Sequence, residues 1–233
     1  MGGRRTTGLN PAQLARRAEI GEERRARTRK RLLDAAYRLF ATHGYDAPTI
    51  DDVIAEADVA RGSFYNHFET RDALFNAVAD DIATDINSII RSKLAGITDP
   101  AVRFSIALRI FVHLAVVHEA RGWILLRTMP LVGALNLEMK NFVYSEFSEA
   151  VASGRFHAKS VAIVNDMAVG LLIMTIRRLL TEKCGDDHVR DAAEAFLVAM
   201  GIRESDARRI AYSPIDFEGI HATTPGPGKN QAR

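Results

Sequence analysis

Apolar residues along this chain recur at intervals of three and four rather than two, the period of helices that bury one face. Leu32, Leu33, Ala36, Leu39 and Phe40 share a face of a first helix predicted from Arg24 to a stop at Gly44. A short second helix is predicted over Ile50 to Ala57. Thr49 precedes it with a hydroxyl for free backbone amides, and Asp51 and Asp52 suit the positive end of the helix dipole. Asp58 interrupts. A third short helix carries Arg61 to Phe68, with Val59, Phe64 and Phe68 inward, and Thr70 caps a longer fourth that runs through Leu74, Phe75, Val78, Ile82, Ile86 and Ile90 toward Gly96.

The same period continues to the end, and β-turn dipeptides are scarce, so the fold class expected is all-α. Asp99-Pro100 is a cap and first-turn pair for a helix to about Glu119, followed by a short one around Trp123 to Thr128 that Pro130 ends. Further helices are expected over Asn136 to Ser153, Ser160 to Lys183, Asp186 to Met200 and Ser205 to Tyr212. The organisation read from this is a basic flexible arm over 1–22, a three-helix domain over 23–70, a helical domain over 71–212 and a flexible tail over 213–233. Within the arm, Pro11 to Gly21 has the pattern of a frayed extra helix. The tail ends in the Pro225-Gly226-Pro227-Gly228 run.

With 233 residues, 47% apolar and 26% charged, the chain has material for a sizeable core, and disorder throughout is excluded. Its single cysteine, Cys184, cannot form an internal disulfide, and the first residues hold no apolar run of a secretory signal. No stretch approaches the ~20 apolar residues of a membrane span. A cytoplasmic protein without a membrane partner is therefore expected. The net charge is only +2, but the first 31 residues carry ten Lys/Arg against three Glu, so the remainder sums to −5. A basic arm on an acidic body is suited to a polyanion.

Two short helices joined by a tight turn and braced by a longer one are what a helix-turn-helix needs to set its second helix in a DNA major groove. That second helix offers Arg61, Ser63, Tyr65, Asn66 and His67 opposite Phe64 and Phe68. The run Thr28-Arg29, Leu33-Asp34-Ala35-Ala36, Leu39-Phe40, Gly44-Tyr45, Thr49-Ile50, Val59 through Phe68, and Leu74-Phe75 closely resembles the DNA-binding domain of the tetracycline-repressor (TetR) family. The order and spacing match over about fifty residues, under a quarter of the chain. The resemblance implies a homodimeric transcriptional regulator, usually a repressor, that binds a palindromic double-stranded operator and is controlled by an effector. It further implies that Thr49, Tyr65, His67 and Arg71 meet phosphate, that Arg61, Ser63 and Asn66 touch bases, and that Arg27 and Thr28 lie close to the DNA backbone. Three positions depart from the family pattern: Asp58 stands where the turn usually has glycine, Ala60 where Ser or Thr caps the third helix, and Ile54 where a small residue is usual.

In the C-terminal part, Arg109 and His113 lie four apart on one helix face. Together with Trp123, Arg127, Met129, Phe142, Met167 and Met174 they are expected to line an apolar cavity with a few polar anchors, suited to a small apolar effector. The competing reading of these residues is ordinary core, with arginines reaching to water. Val164, Ala168, Leu171, Leu172, Thr175 and Phe196 lie on two long consecutive helices, with Gly170 allowing close approach. They are expected to form a four-helix dimer interface.

Two other function classes compete with this reading. An all-α di-metal enzyme would use Glu-x-x-His pairs, and only Glu218 and His221 have that spacing, in the tail. No clustered Cys or His suggests zinc, and no P-loop or nucleophile elbow is present, so neither cofactor, metal nor catalytic residue is expected. A DNA-binding regulator without a small-molecule effector is the second alternative.

Overall fold

The computed structural model describes residues 10–43, 48–128, 137–182, 184–185, 187–217 and 220. Among them are ten helices and no strand: α1 (Pro11–His43), α2 (Ile50–Ala57), α3 (Arg61–Tyr65), α4 (Arg71–Lys93), α5 (Pro100–Val116), α6 (Glu119–Thr128), α7 (Leu137–Ala152), α8 (Val161–Glu182), α9 (Asp187–Ala199) and α10 (Glu204–Ala211). Gly44, the expected stop of the first helix, and Asn136, the expected start of the seventh, lie outside the described residues, as do Glu218 and His221.

Residues 11–22 differ from the expected flexible arm. They continue α1 without a break, so the first helix is 33 residues long. The chain is exposed from Ala15 to Arg27, and burial begins at Leu32. Below that point α1 packs on α2, α4 and α6. Leu32, Tyr37 and Phe40 then join Phe64, Leu74, Phe75, Ile82 and Ile86 in one core that continues into Ile110, Leu114, Ile124 and Ile176. The N-terminal domain is thus cemented to the rest by apolar contact along α4 and α6. Tyr37 and Arg121 are each 1% exposed at this junction, and burial pushes the Tyr37 phenol above its usual range, against the pull of the neighbouring Arg121.

A second core is built from α5, α7, α8, α9 and α10 around Phe147, Phe156, Phe196 and Leu197. Phe196 stacks on Phe104 with ring centroids 3.9 Å apart. Ion pairs fix the start of α5. Asp99 caps it through the Ala101 amide at 2.9 Å, and both Asp99 oxygens accept from Arg155 at 2.8 Å. Arg103 forks Glu146 of α7 at 2.6 Å and donates to the Leu94 and Ile97 carbonyls that end the α4–α5 turn. The chain leaves α9 through Gly201 at φ +85°, where a Cβ would lie 2.7 Å from the His157 ring, so only glycine fits.

The segment after α10 is not wholly a free tail. Ile215 and Phe217 pack on the first core, Ile220 is 4% exposed, and the Ile220 amide donates to the Phe217 carbonyl.

Candidate nucleic-acid interface

Local chemistry fixes the two short helices before any partner arrives. Thr49 is the N-cap of α2: its Oγ1 accepts from the Asp52 amide at 3.2 Å, while the Thr49 amide donates to Asp52 Oδ2 at 2.7 Å. This reciprocal capping box satisfies two amides at once, and the Thr49 hydrogen bonds hold the Asp52 carboxyl below its usual range. Asp58 ends α2 in the left-handed conformation, φ 48° and ψ 58°. A non-glycine residue there is strained by about 1–2 kcal/mol. Arg31 of α1 offsets that strain, donating to the Asp58 carbonyl at 2.8 Å and to its carboxylate at 3.1 Å. Ala60 caps α3 with no side-chain hydrogen bond, as its side chain dictates.

Phe64 is fully buried and Phe68 is 5% exposed, so α3 is anchored by its aromatic side and turns the other outward. On that outward side Tyr65 is 46% exposed, Arg61 and Asn66 are exposed, and Ser63 and His67 are half-buried. The Arg61 guanidinium lies over the Tyr65 ring at 5.9 Å and pairs with Asp51. Arg71, at the start of α4, donates through Nε to the Pro48 carbonyl at 2.8 Å and lies over Phe75 at 4.2 Å. It therefore ties α4 to the entry of α2, a framing duty in addition to the phosphate role the resemblance implies.

An open cleft of about 450 Å³ separates α1 from α3, lined by Gly21, Arg24, Arg25 and Thr28 on one side and Ser63, Asn66 and His67 on the other. Burial, then Arg25 and Arg29, push the His67 imidazole below its usual range, a sign of positive potential there. The spacing Arg17–Gly21–Arg24–Thr28 keeps one stripe of α1 facing this way, and Glu19, Glu22 and Glu23 fall around the other side. Among the described residues no carboxylate pairs with Arg17, Arg24, Arg25 or Arg27. Arg31, Arg38 and Lys30, by contrast, are held by Asp58, Glu56 and Asp34. The surface thus combines arginines that pair with no carboxylate among the described residues and short polar side chains on the outward side of α3, the side-chain chemistry that suits phosphate and base edges.

The residues expected to line an effector cavity do not converge as a set. Arg109, 5% exposed, and His113 sit one turn apart on α5, facing the segment after α10. Trp123, Met167 and Met174 are 44%, 41% and 50% exposed and Arg127 is exposed, so these four line no enclosed space in the single chain. Phe142 of α7 is half-buried under Arg91, 4.8 Å from its ring centre. Met129 lies outside the described residues. A further cleft of about 430 Å³ is lined by Leu39, His43, Pro48, Asp52, Ala55 and Glu56. It too belongs to the N-terminal domain.

The expected dimer residues need a larger correction. Val164, Ala168, Thr175 and Phe196 are 1%, 8%, 2% and 4% exposed, buried inside their own chain against α5, α7 and α9. Leu171 and Leu172 are half-buried. The apolar face that α8 leaves in the open is one step around the helix, at Ile163, Met167, Gly170 and Met174, with Ala195 and Val198 exposed on the adjoining α9. The 4-3-4 spacing of Ile163, Met167, Gly170 and Met174 was present in the sequence as a signal. Two apolar stripes on one helix have the same period, however, and only the packing decides which is used within the chain.

Comparison with known proteins agrees with this geometry. Residues 32–78 match the family model for bacterial regulatory proteins, tetR family, and residues 99–213 match the tetracyclin repressor-like C-terminal domain. The HTH-type transcriptional repressor DhaR of Mycobacterium sp. (strain GP1) is 34% identical over 79 residues, which are 34% of this chain and 40% of that protein. The HTH-type transcriptional repressor Rv1474c of Mycobacterium tuberculosis is 38% identical over 61 residues, 26% of this chain and 33% of that protein. These alignments thus span well under two thirds of either relative. Over greater length, the crystal structure of RolR without ligand superposes with a TM-score of 0.68 at 26% identity, covering 81% of this chain and 98% of that one. RolR in complex with resorcinol superposes with a TM-score of 0.63, also at 26% identity, over 84% and 98% of the two chains.

Proposed function

From a chain that belongs to the TetR family of DNA-binding transcriptional regulators, we propose a homodimeric repressor that reads a palindromic operator through α3 and is released from it by a small, largely apolar effector. The observation that carries this reading is the outward face of α3, Arg61, Ser63, Tyr65 and Asn66, set beside the arginine-lined cleft of α1. In the proposed complex Arg61, Ser63 and Asn66 touch bases, and Thr49, Tyr65, His67, Arg71, Arg27 and Thr28 meet phosphates. One helix of this length covers too few base pairs to select a site in a genome, which favours a two-fold dimer. The apolar faces left open on α8 and α9 are suited to such a dimer. The names of the repressors DhaR and Rv1474c support repression, and the resorcinol bound by RolR supports a small-molecule effector.

Helix α4 is the proposed lever. It starts under the DNA-binding helices at Arg71 and ends in the C-terminal domain at Lys93, and the contact of α1 with α6 gives a second path between the two domains. An effector acts only through its differential affinity for the two states, and a coupling of ~1–3 kcal/mol changes operator affinity by roughly 5- to 150-fold.

Selection of bound fragments from the source genome, followed by footprinting, tests the reading. An inverted repeat protected through α3 is expected, and contacts mapping to the C-terminal domain would overturn it. Saturating operator must weaken a true effector by the same factor by which the effector weakens operator. A compound bound equally with and without operator is not the effector.

A further inference from the structure

Arg109 is a buried cation without a counter-charge. Its residue is 5% exposed on α5, its Nη1 donates to the neutral Ser213 carbonyl at 2.7 Å, and among the described residues no carboxylate pairs with it. Burial and then the like charge of Arg190 hold its guanidinium below the usual range, so its surroundings act against the charge they enclose. Charges taken out of water are normally paired, because desolvation is repaid only by an opposite charge in good geometry. One turn further along α5, the His113 ring lies against Phe217 in a tilted arrangement, with ring centroids 4.4 Å apart and planes inclined by 33°. The two side chains are thus engaged by a single segment, Ser213 to Phe217, which presents an oxygen to Arg109 and, four residues later, an aromatic ring to His113. No helix spans this segment; Ser213 and Phe217 are half-buried, and Pro214 and Asp216 are exposed.

We propose that Arg109 and His113 form the effector subsite and that its ligand is a small aromatic oxyanion, a carboxylate or phenolate. The Ser213–Phe217 segment holds the positions such a ligand would take, the Ser213 carbonyl on Arg109 and the Phe217 ring against His113. The ligand's anionic oxygen takes the place of the Ser213 carbonyl on Arg109, and its ring takes the place of Phe217 on His113. A charged acceptor binds a guanidinium more strongly than a neutral carbonyl does, so the exchange favours the ligand and gives Arg109 an opposite charge. Displacing the segment frees Phe217 and Ile215 from the core between α5 and its neighbours, which gives the ligand its differential effect on the fold. This rests on the effector-controlled reading above and narrows its effector to one with an apolar ring and a single anionic group.

The test uses the full-length protein with benzoate and, as a neutral analogue of the same shape, benzyl alcohol, titrated calorimetrically. Benzoate is expected to bind at least about tenfold more tightly than the alcohol, the difference a hydrogen bond to a charged group makes. Arg109→Met is expected to abolish that preference. Amide hydrogen exchange over Ser213–Phe217 is expected to speed up on adding benzoate, and Phe217→Ala is expected to bind benzoate severalfold more tightly because the competitor is removed. Equal affinity for the two compounds, an unchanged preference in Arg109→Met, or slower exchange of the segment with benzoate would each overturn the proposal. Thermal unfolding of Arg109→Met shows whether that variant is folded; the exchange measurement on the unmutated chain decides the matter if it is not. Operator binding with no compound added tests the parent reading separately. If DNA is bound while benzoate and the alcohol are indistinguishable, only the present proposal fails.

Discussion

Asp51, in the first turn of α2, holds the Arg61 guanidinium at the first turn of α3, with 2.5 Å between Oδ1 and Nη1. The candidate base-reading arginine is therefore engaged by its own motif. Both side chains are largely exposed, so the pair contributes little to stability, and its consequence is for binding. Asp51→Asn should release Arg61 and remove one negative charge from the DNA-facing side. Affinity for duplexes of any sequence is expected to rise about fivefold, equivalent to ~1 kcal/mol, with only a small loss of thermal stability, because Asp51 also suits the α2 dipole. Fluorescence anisotropy on specific and scrambled duplexes checks this. A fall in affinity confined to the specific duplex would instead mean that Asp51 orients Arg61 for its base.

The exposed stripe of α1 should add phosphate contacts beyond those of α3. Replacing Arg17, Arg24 and Arg25 together by Gln should lower the slope of log affinity against log salt by about 0.9 for each phosphate that is no longer neutralised. Sequence preference should stay as it was, because phosphates carry no base identity. These residues lie outside both apolar cores, so the melting temperature should not move. An unchanged slope would show that this part of α1 points away from the duplex.

Substitutions on the open and the buried faces of α8 and α9 should act differently. Ile163→Asp or Met174→Glu is expected to give a folded monomer with poor operator affinity, since both side chains are exposed in the single chain. Phe196→Ala should instead lower stability by roughly 3–5 kcal/mol, because its ring is packed against Phe104 and Phe156. Sedimentation and chemical unfolding separate the two outcomes. A dimer that survives both α8 substitutions would remove that face from the interface.

Acid should loosen the start of α5. The Arg155 hydrogen bonds, with the Ala101 amide, hold the Asp99 carboxyl below its usual range. Its folded value lies below its unfolded one, so its stabilisation is fully present above about pH 4 and is lost as pH falls through the folded value. Asp99→Asn keeps an amide acceptor for the cap but gives up the ion pair, so its stability should depend less on pH below about pH 4 than that of the parent. Urea unfolding as a function of pH checks it, and parallel curves for the two proteins would contradict the assignment.

Much of the local geometry of α2 and α3 was legible in the sequence because its determinants are local. A Thr-x-x-Asp spacing makes a capping box in any context, Phe64 and Phe68 four apart define a buried side, and the remaining positions of α3 must then face out. For the same reason the helix boundaries from α2 onward fall within a few residues of those expected: caps, prolines and glycines act on their immediate neighbours. The compensation for Asp58 was not legible, because Arg31 reaches it from 27 residues away.

What the sequence by itself determined was which residues are helical and which small helix is turned outward, since period and capping depend on neighbours along the chain. Tertiary structure alone decided between apolar stripes that have the same period. It put Val164, Ala168, Thr175 and Phe196 inside and left Ile163, Met167 and Met174 in the open, because burial belongs to the face that finds a partner within the chain. It also decided that Arg109 would be enclosed and met by the Ser213 carbonyl rather than reach water. No local signal carries that outcome: a side chain's charge compensation is set by groups about a hundred residues away, and only folding brings them together or withholds them.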